Sequence, residues 1–194
     1  MTVPMNPVDP KSRRRSRTFL LLIGLVFAAP MIVAGLLTVG GWQPGTRGNG
    51  HPITPQRNFV AEQLQVRMAD GGSWAWRDSE PRMTLVALAG PDCATRCLAA
   101  LTAMAKAHVM LNHNKSRLRL LYLGTPPGDA AARQAMTAYW SLGTDVDGKL
   151  ARFRPQAADS VSALLVESNG TALSFYPAGF DAAGLLRDVR KVIK

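Results

Sequence analysis

The sequence is poor in the residue types that build disulfide frameworks and metal clusters. Its 194 residues include two cysteines and three histidines, which are too few for a cysteine-rich scaffold or a multi-metal protein. No glycine-rich phosphate loop, set of zinc ligands or Gly-x-Ser-x-Gly elbow occurs in the chain. The motifs of nucleotide-binding proteins, zinc proteins and serine hydrolases are therefore missing.

Acidic residues are also scarce, with 13 Asp and Glu against 23 Lys and Arg, for a formal net charge of +10. A strongly basic chain is typical of nucleic-acid binding, but here the basic residues are scattered. We therefore expect no nucleic-acid partner, and interpret the charge as that of an exported domain facing anionic lipid or acidic partners. The length suits one ordinary domain plus an appendage.

Charge is wholly absent from residues 18–41. As a helix this segment would reach about 36 Å, against a hydrocarbon core of about 30 Å. A cleaved signal peptide is the alternative, but its apolar region has only about 7–15 residues. Because positive flanks stay cytoplasmic, we predict a basic cytoplasmic tail over 1–17, a single transmembrane helix over 18–41 and an exported C-terminal part.

The exported part begins with a segment, 42–58, that is rich in Gly and Pro and is interpreted as a linker or as a loop lying on the domain. The domain proper is predicted over 59–194. Hydrophobic patterns predict strands at 63–68, 84–89, 118–123, 161–166 and 171–176. They predict helices over 93–112, 130–141 and 181–193, with Asp92 as the cap of the first. From 84 onward the order β-α-β-α-β-β-α matches the α/β thioredoxin-like plan.

Cys93 and Cys97 stand four residues apart, directly after the first core strand. At the start of a helix the two thiols would lie on one face, and unpaired N–H groups would favour the thiolate. Arg96 adds a positive neighbour. The position predicts a reactive pair or two soft ligands for a metal such as Cu(I). An oxidised pair outside the cytoplasm and two small buried helix residues are the alternatives.

These features together resemble the Sco/SenC group of membrane-anchored thioredoxin-fold proteins. The shared features are a basic tail with one span, a C-x-x-x-C after the first core strand, and a Trp-x-Pro segment, here Trp42-Gln43-Pro44. The family's nearby Asn-aromatic-Gly is reduced here to Asn49-Gly50, without the aromatic residue. The similarity covers roughly residues 13–194. It is greatest to the short Sco-like membrane proteins associated with cytochrome c oxidase assembly in proteobacteria.

The resemblance implies thiol chemistry or copper handling for the oxidase copper centre, with Cys93 and Cys97 as the thiol pair. It implies an inner-membrane protein with a cytoplasmic N-terminus and a periplasmic domain. The implied partners are the membrane itself and an oxidase subunit or another copper chaperone.

The chain departs from this family at the third copper ligand. Sco proteins place a histidine shortly before a strand of the last hairpin. The corresponding position here is Asp159, or Ser162 in a shifted alignment. His108 would lie about 16 Å along the helix from Cys97. His113 lies farther still and His51 falls in the predicted linker, so the third ligand is missing.

A second departure concerns the cis-proline that thioredoxins carry before the third strand. Asp159 and Ser160 occupy that place, which argues against a general disulfide oxidoreductase. Two thiolates alone could hold Cu(I) weakly, with copper as the implied cofactor, whereas thiol–disulfide exchange needs no histidine.

The sequence therefore predicts a thiol–disulfide or copper-handling accessory factor in oxidase assembly, with thiol–disulfide oxidoreductase activity left open. The alternative is a non-catalytic, anchored interaction module with a structural disulfide.

Overall fold

The computed structural model describes residues 10–39 and 48–193. The chain divides into two compact units, Met1–Thr46 and Arg47–Lys194. The described residues of the first unit form helix α1 (Pro10–Val39), with Pro30 inside it. Among the side chains of this helix that the structure describes, twelve large apolar ones are exposed: Phe19, Leu20, Leu22, Ile23, Leu25, Val26, Phe27, Met31, Ile32, Val33, Leu36 and Leu37.

Across the described residues, no helix has both the length and the apolar character needed to cross a membrane. The predicted span over 18–41 extends to residues 40 and 41, which lie outside the described residues. Much of the predicted tail, residues 1–9, also lies outside them. The span and its tail stay predictions.

The second unit is built on one seven-stranded sheet. Its strands are β1 (His51–Asn58), β2 (Val66–Met68), β3 (Met83–Ala89), β4 (Leu118–Leu123), β5 (Ser141–Asp145), β6 (Val161–Val166) and β7 (Thr171–Tyr176). The spatial order is β1-β7-β6-β3-β4-β5-β2. The β3–β4 and β4–β5 pairs are parallel, and the other pairs are antiparallel. The buried strand β3 therefore lies at the centre of the sheet.

Among the described residues of the second unit, helices α2 (Thr95–Val109) and α3 (Ala130–Thr137) connect strands, and α4 (Ala182–Val192) follows the last strand. Short 3₁₀ turns occur at Asn112–Arg117 and Ala151–Phe153. The succession from β3 is β3-α2-β4-α3-β5-β6-β7-α4, which is the predicted β-α-β-α-β-β-α order with one unpredicted strand, β5, added after α3. The last hairpin has the predicted bounds, because its strands are apolar and its turn contains Gly170 at φ +87°.

Both faces of the sheet are covered, which explains why β3 and β6 are buried along their whole length. Side chains alternate between the faces of a strand. Leu85 and Ala87 belong to the cluster that includes helix residues such as Leu101. Val86 and Leu88 belong to the opposite cluster, which is completed by residues from loops, 3₁₀ turns and β1: Ile53, Phe59, Leu64, Trp76, Leu150 and Phe153. Packing on both faces thus holds β3 in place, and β3 in turn positions the cysteines that follow it.

The predicted linker is wrong for residues 51–58, which form β1 on β7. Pro52 and Pro55 interrupt the strand pattern, and a proline is tolerated in a sheet mainly on an edge strand such as this. The register shifts between Pro52 and Arg57, so no regular alternation is visible in the sequence. Residues 42–47 of the predicted linker lie outside the described residues.

Two further elements differ from prediction. The helix predicted over 130–141 ends at Thr137, and Ser141 begins β5 instead. This strand has Gly143 at its centre, a residue with low strand propensity. A Cβ there would lie 2.7 Å from a side-chain carbon of Val66, so packing selects glycine. The strand predicted over 63–68 is shorter, Val66–Met68.

The start of the second unit is fastened to its last helix by the buried carboxylate of Asp188. Its oxygens accept hydrogen bonds from the backbone N–H groups of Asn49 and Gly50, and from the Tyr176 hydroxyl. They also accept from the side chains of Asn49 and Lys191. Burial raises the pKa of Asp188, but these hydrogen bonds outweigh it and hold the pKa below its usual 3.8.

We expect Asp188→Asn to lower the free energy of unfolding by about 1–3 kcal/mol at neutral pH. A depressed folded-state pKa adds stability above the unfolded-state value, and this stability is lost as pH falls through the folded-state value. The difference between wild type and variant should therefore shrink below about pH 4. Urea unfolding of the full chain across pH 2.5–7 measures it. The exposed Glu80→Gln is the control, and a difference independent of pH would contradict the prediction.

Candidate functional site

Cys93 and Cys97 form a disulfide at the start of α2, with their Cα atoms 5.1 Å apart. The pair follows β3 after a three-residue connection, so the central strand positions it. Cys97 is fully buried in the core, whereas Cys93 is partly exposed. Of the states that the sequence left open, the structure contains the oxidised pair.

The start of α2 differs from the prediction that it begins near Cys93 with Asp92 as its cap. The helix begins at Thr95, and its N-cap residue, Ala94, makes no side-chain capping bond. The carboxylate that serves this end comes instead from Asp159, in the loop before β6.

One oxygen of Asp159 accepts from the backbone N–H groups of Ala94 and Cys97, each at 2.9 Å. The other accepts from the N–H of Arg96, also at 2.9 Å. A helix leaves its first N–H groups without intrahelical partners, and a carboxylate there is stabilising. A residue 62 positions away thus caps the helix that carries the cysteines, which explains why local capping rules missed it.

The loop carrying Asp159 is fixed against the segment between β3 and α2. The Asp159 N–H donates to the Asp92 carbonyl at 3.1 Å, and the Gly90 N–H donates to the Ser160 carbonyl at 2.9 Å. A Cβ on Gly90 would lie 2.5 Å from the Ala157 carbonyl oxygen, so only glycine allows this approach. Asp159 itself has φ +51°, a left-handed conformation in which Asp is enriched.

The charge of this site is set by Asp159 and Arg96. Hydrogen bonds from the Cys97, Arg96 and Ala94 N–H groups lower the pKa of Asp159 below its usual 3.8, and the Arg96 guanidinium contributes further. The guanidinium Nε lies 3.5 Å from the carboxylate, but the Arg96 side chain is 79% exposed and the Asp159 side chain 19%. A partly enclosed negative charge therefore lies over the first turn of α2.

The histidines lie away from the disulfide. His108 is near the C-terminal end of α2, with Nε2 2.9 Å from the Lys115 carbonyl oxygen. His113 is in the following 3₁₀ turn. His51 lies in edge strand β1, opposite Phe175. In the part of the chain that the structure describes, no group of three or more His, Cys, Asp or Glu side chains could hold a metal ion.

The residues around the disulfide do not fit a copper site with two thiolates and a third protein ligand. Of the two positions predicted for that ligand, Asp159 has a carboxylate whose oxygens already accept three N–H bonds. Ser162 is buried, and its hydroxyl donates to the Phe153 carbonyl. Carboxylate oxygen is a hard ligand, whereas Cu(I) prefers sulfur and imidazole. Asp159, at the position where the sequence comparison placed a third copper ligand, caps α2 instead.

A protein-family model described as "Transmembrane-like, thioredoxin-like, C-terminal domain" matches residues 83–194, more than half of the chain. The chain belongs to this family. The matched segment starts at β3 and contains both cysteines, Asp159 and the last hairpin. No curated protein matches the sequence.

Solved structures with the same fold include two Sco proteins. Apo Sco1 from Thermus thermophilus superimposes with a TM-score of 0.55 at 11% identity, covering 75% of this chain and 99% of that one. Copper-bound ScoI from Arabidopsis thaliana gives 0.50 at 14% identity, covering 75% and 98%. The thioredoxin-like fold is confirmed, and it has structural neighbours in the Sco/SenC family.

Proposed function

We propose that this chain is a membrane-anchored periplasmic protein that reduces disulfides between the copper-binding cysteines of a partner during cytochrome c oxidase assembly. The observation that carries the proposal is the Cys93–Cys97 disulfide, formed by one partly exposed and one buried cysteine shortly after the central strand. In this position one sulfur can meet a partner while the other stays within reach of the first.

Each thiol has a distinct role in this reaction. In the dithiol form the Cys93 thiolate attacks one sulfur of the partner disulfide, forming a mixed disulfide and releasing one partner thiolate. The Cys97 thiolate then attacks the Cys93 sulfur, breaks the mixed disulfide and releases the second thiolate. Two electrons pass to the partner and the Cys93–Cys97 disulfide forms. A dithiol donor in the same compartment would return the pair to its reduced form.

Copper enters this proposal as the cargo of the partner. The motifs that resemble Sco proteins support an oxidase subunit or a copper chaperone as that partner, and copper-bound ScoI from A. thaliana shares the fold. The donor set described above does not favour storage of copper in this chain. Thiol exchange, by contrast, needs only the two cysteines.

The membrane anchor is part of the same proposal. It is supported by the uncharged run over 18–41, by the exposed apolar side chains of α1 and by the family description. Alkaline extraction of membranes tests it: the full chain should stay in the pellet. Release into the supernatant would contradict an integral anchor.

The exchange function predicts a reduction potential above about −300 mV for the Cys93–Cys97 pair, because structural disulfides of secreted proteins lie below that value. The full chain in detergent is equilibrated with dithiothreitol buffers at pH 7, and free thiols are trapped by alkylation. A lower potential would favour the alternative, an anchored interaction module with a static disulfide.

A further inference from the structure

We propose that Asp159 is a positioning residue that makes the Cys93–Cys97 pair a stronger reductant, by occupying the backbone N–H groups at the start of α2. This inference rests on the proposed exchange function. It concerns the direction in which electrons move through the pair, which the fold by itself does not set.

The geometry shows which N–H groups are taken. Those of Arg96 and Cys97 belong to the first turn of α2, and that of Ala94 directly follows Cys93 in the chain. At a free helix end, such groups and the helix dipole stabilise an anionic sulfur. Here they point at a carboxylate instead. A reduced Cys93 sulfur must therefore share them with an acceptor that is already negative.

The effect on redox equilibrium follows from the balanced half-reaction. The disulfide takes up two electrons and two protons to give two thiols, and any thiolate formed belongs to the reduced side only. A site that stabilises this thiolate favours the reduced form, so its disulfide is a strong oxidant. A carboxylate on the same N–H groups acts in the opposite sense. It lowers the reduction potential of the pair and so makes the dithiol a stronger reductant.

Two neighbouring charges bear on this balance. The Arg96 guanidinium is near the carboxylate, but its 79% exposure means that solvent screens it. Asp92 contributes its backbone carbonyl to the Asp159 N–H, and its residue is exposed. The carboxylate of Asp159 accepts all three hydrogen bonds at the start of the helix. The test therefore removes the charge of Asp159.

The test is the reduction potential of the full-length Asp159→Asn chain in detergent at pH 7, in dithiothreitol buffers. Asparagine removes the charge and keeps a side-chain oxygen that can accept from the helix. We expect the equilibrium constant for reduction to rise at least about tenfold, which is a rise of about 30 mV. Far-ultraviolet circular dichroism checks that the variant is folded.

Matched controls come from the other capped helices. Asp129 caps α3 by accepting from the Ala132 N–H, and Asp181 caps α4. Asp129→Asn and Asp181→Asn remove the same kind of charge from helices that do not carry the cysteines. Neither should change the potential of the pair by as much as threefold in the equilibrium constant.

The outcomes separate this inference from the function on which it rests. An unchanged or lower potential in folded Asp159→Asn overturns the role of Asp159 and leaves exchange intact. Should Asp159→Asn fail to fold, Asp159→Ser, which keeps a short acceptor, is measured against the same criterion. A wild-type disulfide that dithiothreitol does not reduce contradicts the exchange function itself.

Discussion

A chain with Cys97→Ser is expected to accumulate a stable mixed disulfide through Cys93, whereas Cys93→Ser should form almost none. The expectation follows from the exposure of the two residues, since Cys93 is partly exposed and Cys97 is fully buried. Exchange depends on access to the attacking sulfur as well as on its thiolate fraction. Without Cys97, no thiol remains to resolve the adduct.

Oxidised glutathione is a suitable probe because its disulfide is small and its adduct has a defined mass. Each reduced variant is incubated with it, and intact mass spectrometry reports the fraction carrying one glutathione. The wild type should show only its internal disulfide, because Cys97 displaces the adduct. Equal adduct formation on Cys93→Ser and Cys97→Ser would contradict the division of roles. The double variant controls for reaction elsewhere in the chain.

Asp159→His is expected to create the third copper ligand that the chain lacks. The Asp159 side chain already reaches the N–H groups beside both cysteines, so an imidazole there would project over the same turn. His is also among the residues enriched at positive φ. We expect the affinity of the reduced chain for Cu(I) to rise at least about tenfold, the lower end of what supporting residues contribute to metal sites.

Competition with a chromophoric Cu(I) chelator measures this change on the full chain. Asp129→His is the matched control, because its imidazole would stand at the start of α3 instead. The gain must also disappear when Cys93→Ser is combined with Asp159→His. If the wild type binds Cu(I) as tightly as Asp159→His does, two thiolates are enough for copper binding. Copper binding would then be a function of this chain itself.

The sequence predicted some elements of this fold with their correct bounds and missed others. Strand 161–166 was located by its apolar run, because burial on both faces leaves a continuous signal. Strand 171–176 is only partly buried and was located by the turn that precedes it. β1 and β5 were missed for different reasons: β1 is an edge strand interrupted by prolines, whereas β5 lies between β4 and β2 and has glycine at its centre. Pro52, Pro55 and Gly143 hide the pattern that a longer, central strand would show.

The position of Asp159 shows the same limit at the site. Counting along the sequence placed it where a third ligand was expected, and showed that no histidine stands there. The sequence did not show that its carboxylate caps α2, because its partners are 62–65 residues away and are brought together by the antiparallel pairing of β3 with β6.

From the sequence alone one could predict the order of elements from β3 onward, apart from β5, and the cysteine pair after the first core strand. The sequence also shows that residue 159 is not a histidine. These features depend on local apolar patterns and on residue identity. Tertiary packing, by contrast, sets which cysteine is buried, joins the two in a disulfide, and brings a distant carboxylate to the end of their helix. Those properties depend on packing between segments far apart in the chain. A single sequence carries no local signal for such packing.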